Sequence, residues 1–310
     1  MLYYIGFDIG GTKCAVSVGE VLGESVRIVE RKEVPTERDP IQTLEKLAPF
    51  VAEYQKQYPV QSAGVSCGGP LDNQTGVILT PPNLVGWHNF AICEYIQNRF
   101  GLKAKLENDA NACALAEWRF GAGRGTKNMI FLTFGTGMGA GLVLDGKLYS
   151  GTNGNAGEVG HIRLSKTGPL GYGKNGSFEG FCSGGGIARL AKDTAKRVKN
   201  PPEYMNGDIT TKQLAEYAKA GDKFAQRIFQ KCGDKLGYAL ALLVDILNPE
   251  KIVIGGVYMR SGELLAKSMQ NRLKKEALNE TASVCQIVKA QLFENIGDYA
   301  AIALAMGVEK

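Results

Sequence analysis

Two short stretches carry side chains that could do chemistry on a hydroxyl compound or a metal. LENDANACALAEW places Glu107, Asn108 and Asp109 where an apolar run gives way to helical spacing. A carboxylate at such a helix start first of all caps free N–H groups. It can equally take a proton from a substrate hydroxyl, an effect worth roughly 10²–10⁴-fold. GEVGHIRLSKTGPLGYGKNGSFEG sets Glu158, His161 and Glu179 around a glycine-rich loop without cysteine. That set reads as a metal site, a sugar site or an ordinary surface hairpin, and the residues alone leave all three open.

A second kind of chemistry is suggested by glycines that end apolar runs. In FDIGGTK, Gly10 and Gly11 let backbone N–H groups approach an anion, with Thr12 and Lys13 as donors, and Asp8 at the strand end suits a hydrated Mg²⁺. FGTGMGAG repeats the pattern with Gly135, Thr136 and Gly137, and two such turns could clasp one polyphosphate. IVIGGV offers bare backbone at Gly255 and Gly256 for a flat base or ribose. In each case a tight turn with no ligand is the competing reading, most strongly for IVIGGV.

The elements that must position these residues alternate between strand and helix. YYIGFDIGG and KCAVSVGEVLGESVRIVERKEV predict a hairpin that opens a sheet. Residues 40–58 have helical spacing despite Pro49, VQSAGVSCGGP reads as a buried strand, and helices closed by Gly101 and Gly121 flank the strand KAKLEND. The pattern restarts at NMIFLTFGTGMGAGLVLDGKLYSG, with a turn at Asp145-Gly146. Helices are expected near 184–199, 211–220, 221–247 and 261–277, strands at KIVIGGV and 283–290, and a last helix from Asp298. The fold class is α/β, divided into an N-terminal domain 1–117, onto which 298–310 packs back, and a larger domain 118–297.

Bulk composition excludes several classes. A net charge of +5 from 36 basic and 31 acidic residues, scattered along the chain, gives no local face for nucleic acid. No apolar run approaches the roughly 20 residues of a membrane span, and no leader pattern opens the chain, so the expectation is a cytoplasmic protein. The seven cysteines lack any C-x-x-C pair and read mostly as buried thiols. Tyr58, Trp87 and Trp118 read as core aromatics and His88 as a solvated loop residue.

FDIGGTK, GGP, PPNLVGW, ENDANA, FLTFGTGMGAGLVLDGKLYSGTNGNAGEVGH and IVIGGV, in this order, resemble the ROK family of sugar kinases and repressors, within the hexokinase and actin-like ATPase fold. The resemblance implies a two-domain protein with an interdomain cleft that takes ATP, Mg²⁺ and a hexose. It implies Asp109 as the catalytic base, and sugar contacts from Asn83, Asn108, Asp109, Glu158, His161 and Glu179 with Gly69 close by. Asp8 would hold Mg²⁺ through water. Thr12, Lys13, Gly135, Thr136 and Gly137 would surround the phosphates, and Gly256 would lie near the nucleoside. Relatives suggest a homodimer.

Two departures stand out. Many members carry a zinc loop, a histidine followed by C-x-C-G-x-x-G-C-x-E, where this chain reads GPLGYGKNGSFEG, with Leu170, Tyr172 and Ser177 at the cysteine positions. Without thiolates no structural zinc is expected; Leu170 and Tyr172 could hold the loop by packing, which the sequence leaves open. Repressors carry a DNA-binding domain ahead of DIGGTK, whereas only seven residues precede Asp8 here, so none is expected. The rivals to a glucokinase-like enzyme are an inactive sugar-binding member, an N-acetyl hexosamine kinase and an actin-like or acetate-kinase-like ATPase.

Overall fold

The computed structural model describes residues 1–23, 25–292 and 295–308. β1 (Leu2–Ile9) and β2 (Lys13–Leu22) form the expected antiparallel hairpin, with Asp8 opposite Ala15 and Ile9 opposite Cys14. β3 (Ser25–Pro35) adds a further antiparallel strand. In α1 (Pro40–Gln57), Asp39 accepts from the Ile41 N–H, and Leu44, Leu47, Val51 and Tyr54 form the buried stripe.

β4 (Val60–Cys67) runs parallel to β1, and the small hairpin β5 (Leu71–Asp72) and β6 (Val77–Ile78) follows. α2 (Ile92–Phe100) ends at Gly101 in the left-handed conformation, β7 (Ala104–Asn108) pairs parallel with β4, and α3 (Asp109–Phe120) starts directly at its end. Among the described residues the strand order is β3-β2-β1-β4-β7. Ile5, Phe7, Val65, Leu106, Leu47 and Trp87 are buried in its core.

β8 (Met129–Leu132) precedes the hairpin β9 (Ala140–Leu144) and β10 (Lys147–Tyr149), which turns at Asp145-Gly146 with φ of 50° and 73°. There follow β11 (Leu170–Gly171), β12 (Lys174–Asn175), α4 (Phe178–Phe181), α5 (Gly184–Ala195), α6 (Thr211–Lys219) and the long α7 (Lys223–Leu247). β13 (Lys251–Ile254) pairs parallel with β8 and with β14 (Gln286–Lys289). Between them lie α8 (Val257–Glu276) and α9 (Asn279–Val284). α8 begins earlier than expected because Gly256 opens it, and its Ser261 departs from helical geometry.

The last element, α10 (Ile296–Ala305), packs on β1, β4 and α3. The chain forms two compact units, one of Met1–Thr126, Gly141–Ala156 and Gln291–Lys310, the other of Lys127–Ala140 and Gly157–Ala290. A division at 117/118 would cut through α3. It would also leave out the β9–β10 hairpin, which lies against that helix: a Cβ on Gly141 would fall 2.5 Å from the Ala110 carbonyl and the Ala114 methyl. Residues 309 and 310 of the expected C-terminal segment lie outside the described residues. The buried Glu117 carboxylate ties the returning segment to α3 by accepting from the backbone N–H of Gln291 and Leu292, both at 2.8 Å.

Candidate functional site

In the first unit the sheet order brings the ends of β1, β4 and β7 side by side. Asp8 therefore stands near Asp109 and near Asp298 of α10. The Asp298 carboxylate is held by Arg31 at 2.9 Å. Asp8 is pushed up to about 6, first by burial and then by the Asp298 and Asp109 carboxylates, while Arg31 and Lys13 pull the other way.

The raised value fixes a sign. Folding costs more as pH rises from about 4 to about 6, since the folded state resists ionising a group that ionises freely when unfolded. In EDTA, Asp8→Asn is expected to melt above the parent at pH 7.5, and the gap should vanish below about pH 4. Equal melting temperatures at both pH values would contradict the burial and crowding of this carboxylate.

Asn108 is the N-cap of α3, accepting from Ala110 N–H at 2.9 Å; Asp109 is the first helical residue, with an exposed side chain whose Oδ1 accepts from the same N–H at 2.8 Å. The buried Glu107 supports this corner. It accepts from Asn73 at 2.9 Å, from Ser150 and Asn111 at 3.1 Å, and from the Asn108 N–H at 2.9 Å.

Gly69, in a cis peptide bond to Pro70, lies near the Asn108 amide, and Gly11 lies against Asn83, whose carbonyl would sit 2.4 Å from an added Cβ. The Gly10–Lys13 turn is fastened by Thr36, whose hydroxyl donates to the Gly10 carbonyl at 2.6 Å and whose N–H donates to the Thr12 carbonyl. Lys13 makes an exposed ion pair with Glu33 at 2.9 Å, which costs little to exchange for a phosphate.

In the second unit Glu158, His161 and Glu179 converge on the β11–β12 hairpin. The Tyr172 hydroxyl donates to Glu158 Oε2, and its backbone N–H donates to Glu179 Oε1 at 2.9 Å. Its ring meets His161 edge-on with centroids 5.1 Å apart. Glu179 Oε2 accepts from Met138 N–H at 3.2 Å and so also ties down the glycine turn of residues 135–139. Packing by Leu170 and Tyr172 does not hold this loop, because they are 53% and 47% exposed; hydrogen bonds do. The buried contacts come instead from Phe178, Phe181 and Ser177.

The zinc positions do not fit that metal. Leu170 has no donor atom, the Tyr172 hydroxyl is engaged by Glu158, and Ser177 is spent capping Gly180 N–H at 3.0 Å and donating to Gly171 O at 2.7 Å. Among the described residues no group of three or more His, Cys, Asp or Glu side chains could hold a metal ion. A single carboxylate that binds through water does fit Asp8, where crowded acids favour a cation.

Also within the second unit, a cleft of ≈ 680 Å³ is lined by Gly135, Thr136 and Gly256. Three helices start on its wall: Gly184 and Gly185 open α5, Thr210 and Thr211 open α6, and Gly256 and Val257 open α8. Helix starts carry free N–H groups and the positive ends of dipoles, so three of them suit an anion. Gly256 has φ of 60°, and a Cβ there would lie 2.1 Å from the Phe134 carbonyl, so only glycine lets α8 begin this close to the turn that follows β8. Gly255 is buried against Phe131.

α5 and α6 start where the sequence predicts helices, at Gly184 and Thr211, but no motif marks either as lining the cleft. SGGG is a capped helix start, and TTKQ spells the capping box formed by Thr210 and Gln213.

An α/β protein in which strand-end glycine turns and three helix starts line one cleft has a layout suited to phosphotransfer and nucleotide binding. The chain belongs to the ROK family, whose model matches residues 4–308. It is 33% identical to the glucokinase of Halalkalibacterium halodurans over 95% of this chain and 92% of the relative. A ROK family glucokinase from Streptomyces griseus, solved with glucose and AMPPNP, is 32% identical, with TM-score 0.78 over 99% of this chain and all of that one. A ROK family transcriptional regulator, a homolog of the Escherichia coli MLC protein, superposes with TM-score 0.86 at 26% identity, covering 98% of this chain and 77% of the regulator.

Proposed function

We propose that this chain is an ATP-dependent hexose kinase in which Asp109 is the general base. The observation that carries the reading is the near-full-length match to glucokinases, and the exposed Asp109 beside its Asn108 cap supports it. Asn83, Asn108, Glu158, His161 and Glu179 hold the sugar hydroxyls, with Gly69 alongside. Asp109 takes the proton of one hydroxyl, whose oxygen attacks the γ-phosphorus of ATP in line, and ADP leaves.

In this reading Gly10, Gly11, Thr12, Lys13, Gly135, Thr136 and Gly137 are the phosphate contacts. The nucleoside lies at Gly256 in the three-helix cleft. Asp8 would hold Mg²⁺, which when bound would supply charge neutralisation at the phosphates. Most of the rate comes from positioning and electrostatics.

A coupled ADP assay with ATP-Mg²⁺, a panel of hexoses and N-acetyl hexosamines tests the reading, and no stimulation by any sugar would sink it. The likeness to a transcriptional regulator favours a second reading, a sugar-binding protein without turnover. Sugar binding by calorimetry without ADP release would decide for it. Zinc is expected to be absent from protein purified without added metal, and one equivalent by atomic emission would refute that.

A further inference from the structure

We propose that Tyr172 and Lys174, on the β11–β12 hairpin, are positioning residues that orient Glu158 and Glu179 and set the tautomer of His161. The inference rests on reading those three side chains as sugar ligands. Each is tied to the hairpin by its own contact. Tyr172 reaches Glu158 through its hydroxyl and Glu179 through its backbone N–H, and Lys174 Nζ lies 3.2 Å from His161 Nδ1.

The hairpin is built to place them. Leu170 pairs with Asn175 and Gly171 with Lys174, leaving Tyr172-Gly173 as the turn, with φ of 54° and 71°. A tyrosine adopts positive φ only against a steric preference, and such exceptions concentrate where a side chain has a task. The frame is fixed on both sides, by Ser177 Oγ donating to Gly171 O at 2.7 Å and by Arg163 donating to Asn175 O at 2.9 Å.

The chemistry of the pairs gives each ligand one role. An ammonium only donates, so Lys174 requires a lone pair on His161 Nδ1 and leaves the ring proton on Nε2. His161 then presents an N–H donor. Tyr172 engages Glu158 Oε2 and leaves Oε1 as an acceptor. Burial, then the Glu158 carboxylate, raises the Tyr172 hydroxyl above its ordinary range, so it remains a donor. A donor beside acceptors on one wall matches adjacent sugar hydroxyls, each of which both donates and accepts.

The chain has only two histidines, so ¹⁵N-histidine labelling of the full protein, with His88→Asn to assign the signals, reads the tautomer of His161 directly. The parent is expected to hold the Nε2–H form, and Lys174→Ala to shift it towards Nδ1–H; an unchanged tautomer would overturn the role of Lys174. Tyr172→Phe and Lys174→Ala are each expected to raise the KM of the best hexose about tenfold, with the KM of ATP and the melting temperature unmoved. An unchanged sugar KM, or an equal rise for ATP, would overturn positioning. A parent without sugar turnover would instead refute the kinase reading, while the tautomer measurement would still decide the action of Lys174.

Discussion

Asp109→Asn is expected to lower kcat by roughly a thousandfold while the sugar still binds. The substitution keeps shape and hydrogen bonding but removes the base. The helix start should survive it, because Asn108 makes the cap and Glu107 anchors that corner through four hydrogen bonds. The melting temperature should therefore stay near that of the parent. Unchanged turnover would remove Asp109 from the chemistry. Turnover lost together with sugar binding would make it a ligand only.

Gly64→Ala is expected to damage the fold severely. Gly64 sits in β4 where α10 crosses, and a Cβ there would lie 2.0 Å from the Ala301 carbonyl and 2.6 Å from the Ala305 nitrogen. Both are backbone atoms of a helix whose residues from Ala300 to Ala305 are buried, so neither partner can turn aside. Overpacking of this kind costs about 3 kcal/mol or more. A fall of roughly 10 °C in the melting temperature follows, and a shift of less than about 2 °C would show that α10 lies farther from β4. Asp298 lies on α10 and Asp8 on β1, so the variant should also weaken Mg²⁺-dependent activity.

Much of this was legible because local rules and global fold agree. The β1–β2 hairpin, α2 with its Gly101 stop, and β7 running into α3 each follow from period, cap and glycine acting in the same direction. Resemblance to the family motifs implies roles that spacing alone leaves open, Asp109 above all.

Three features were not legible, for different reasons. Asn108 shares the Ala110 N–H with Asp109 and takes the N-cap position, because both residue types cap well and only backbone geometry separates them. The sequence leaves open what holds the loop at Tyr172, since only the backbone shows the positive-φ turn that brings its hydroxyl onto Glu158. The starts of α5 and α6 lie far from the glycine turns in sequence, and only tertiary structure gathers them around the cleft with Gly135 and Gly256.

The central claim is that a sugar hydroxyl, and not water, receives the γ-phosphoryl group. ³¹P NMR of the purified chain with ATP-Mg²⁺ and the best hexose of the panel tests it most directly. The expected spectrum shows one hexose phosphate formed for each ADP, with both signals absent when Asp109→Asn replaces the parent. Inorganic phosphate appearing at the same rate with or without sugar would contradict the account.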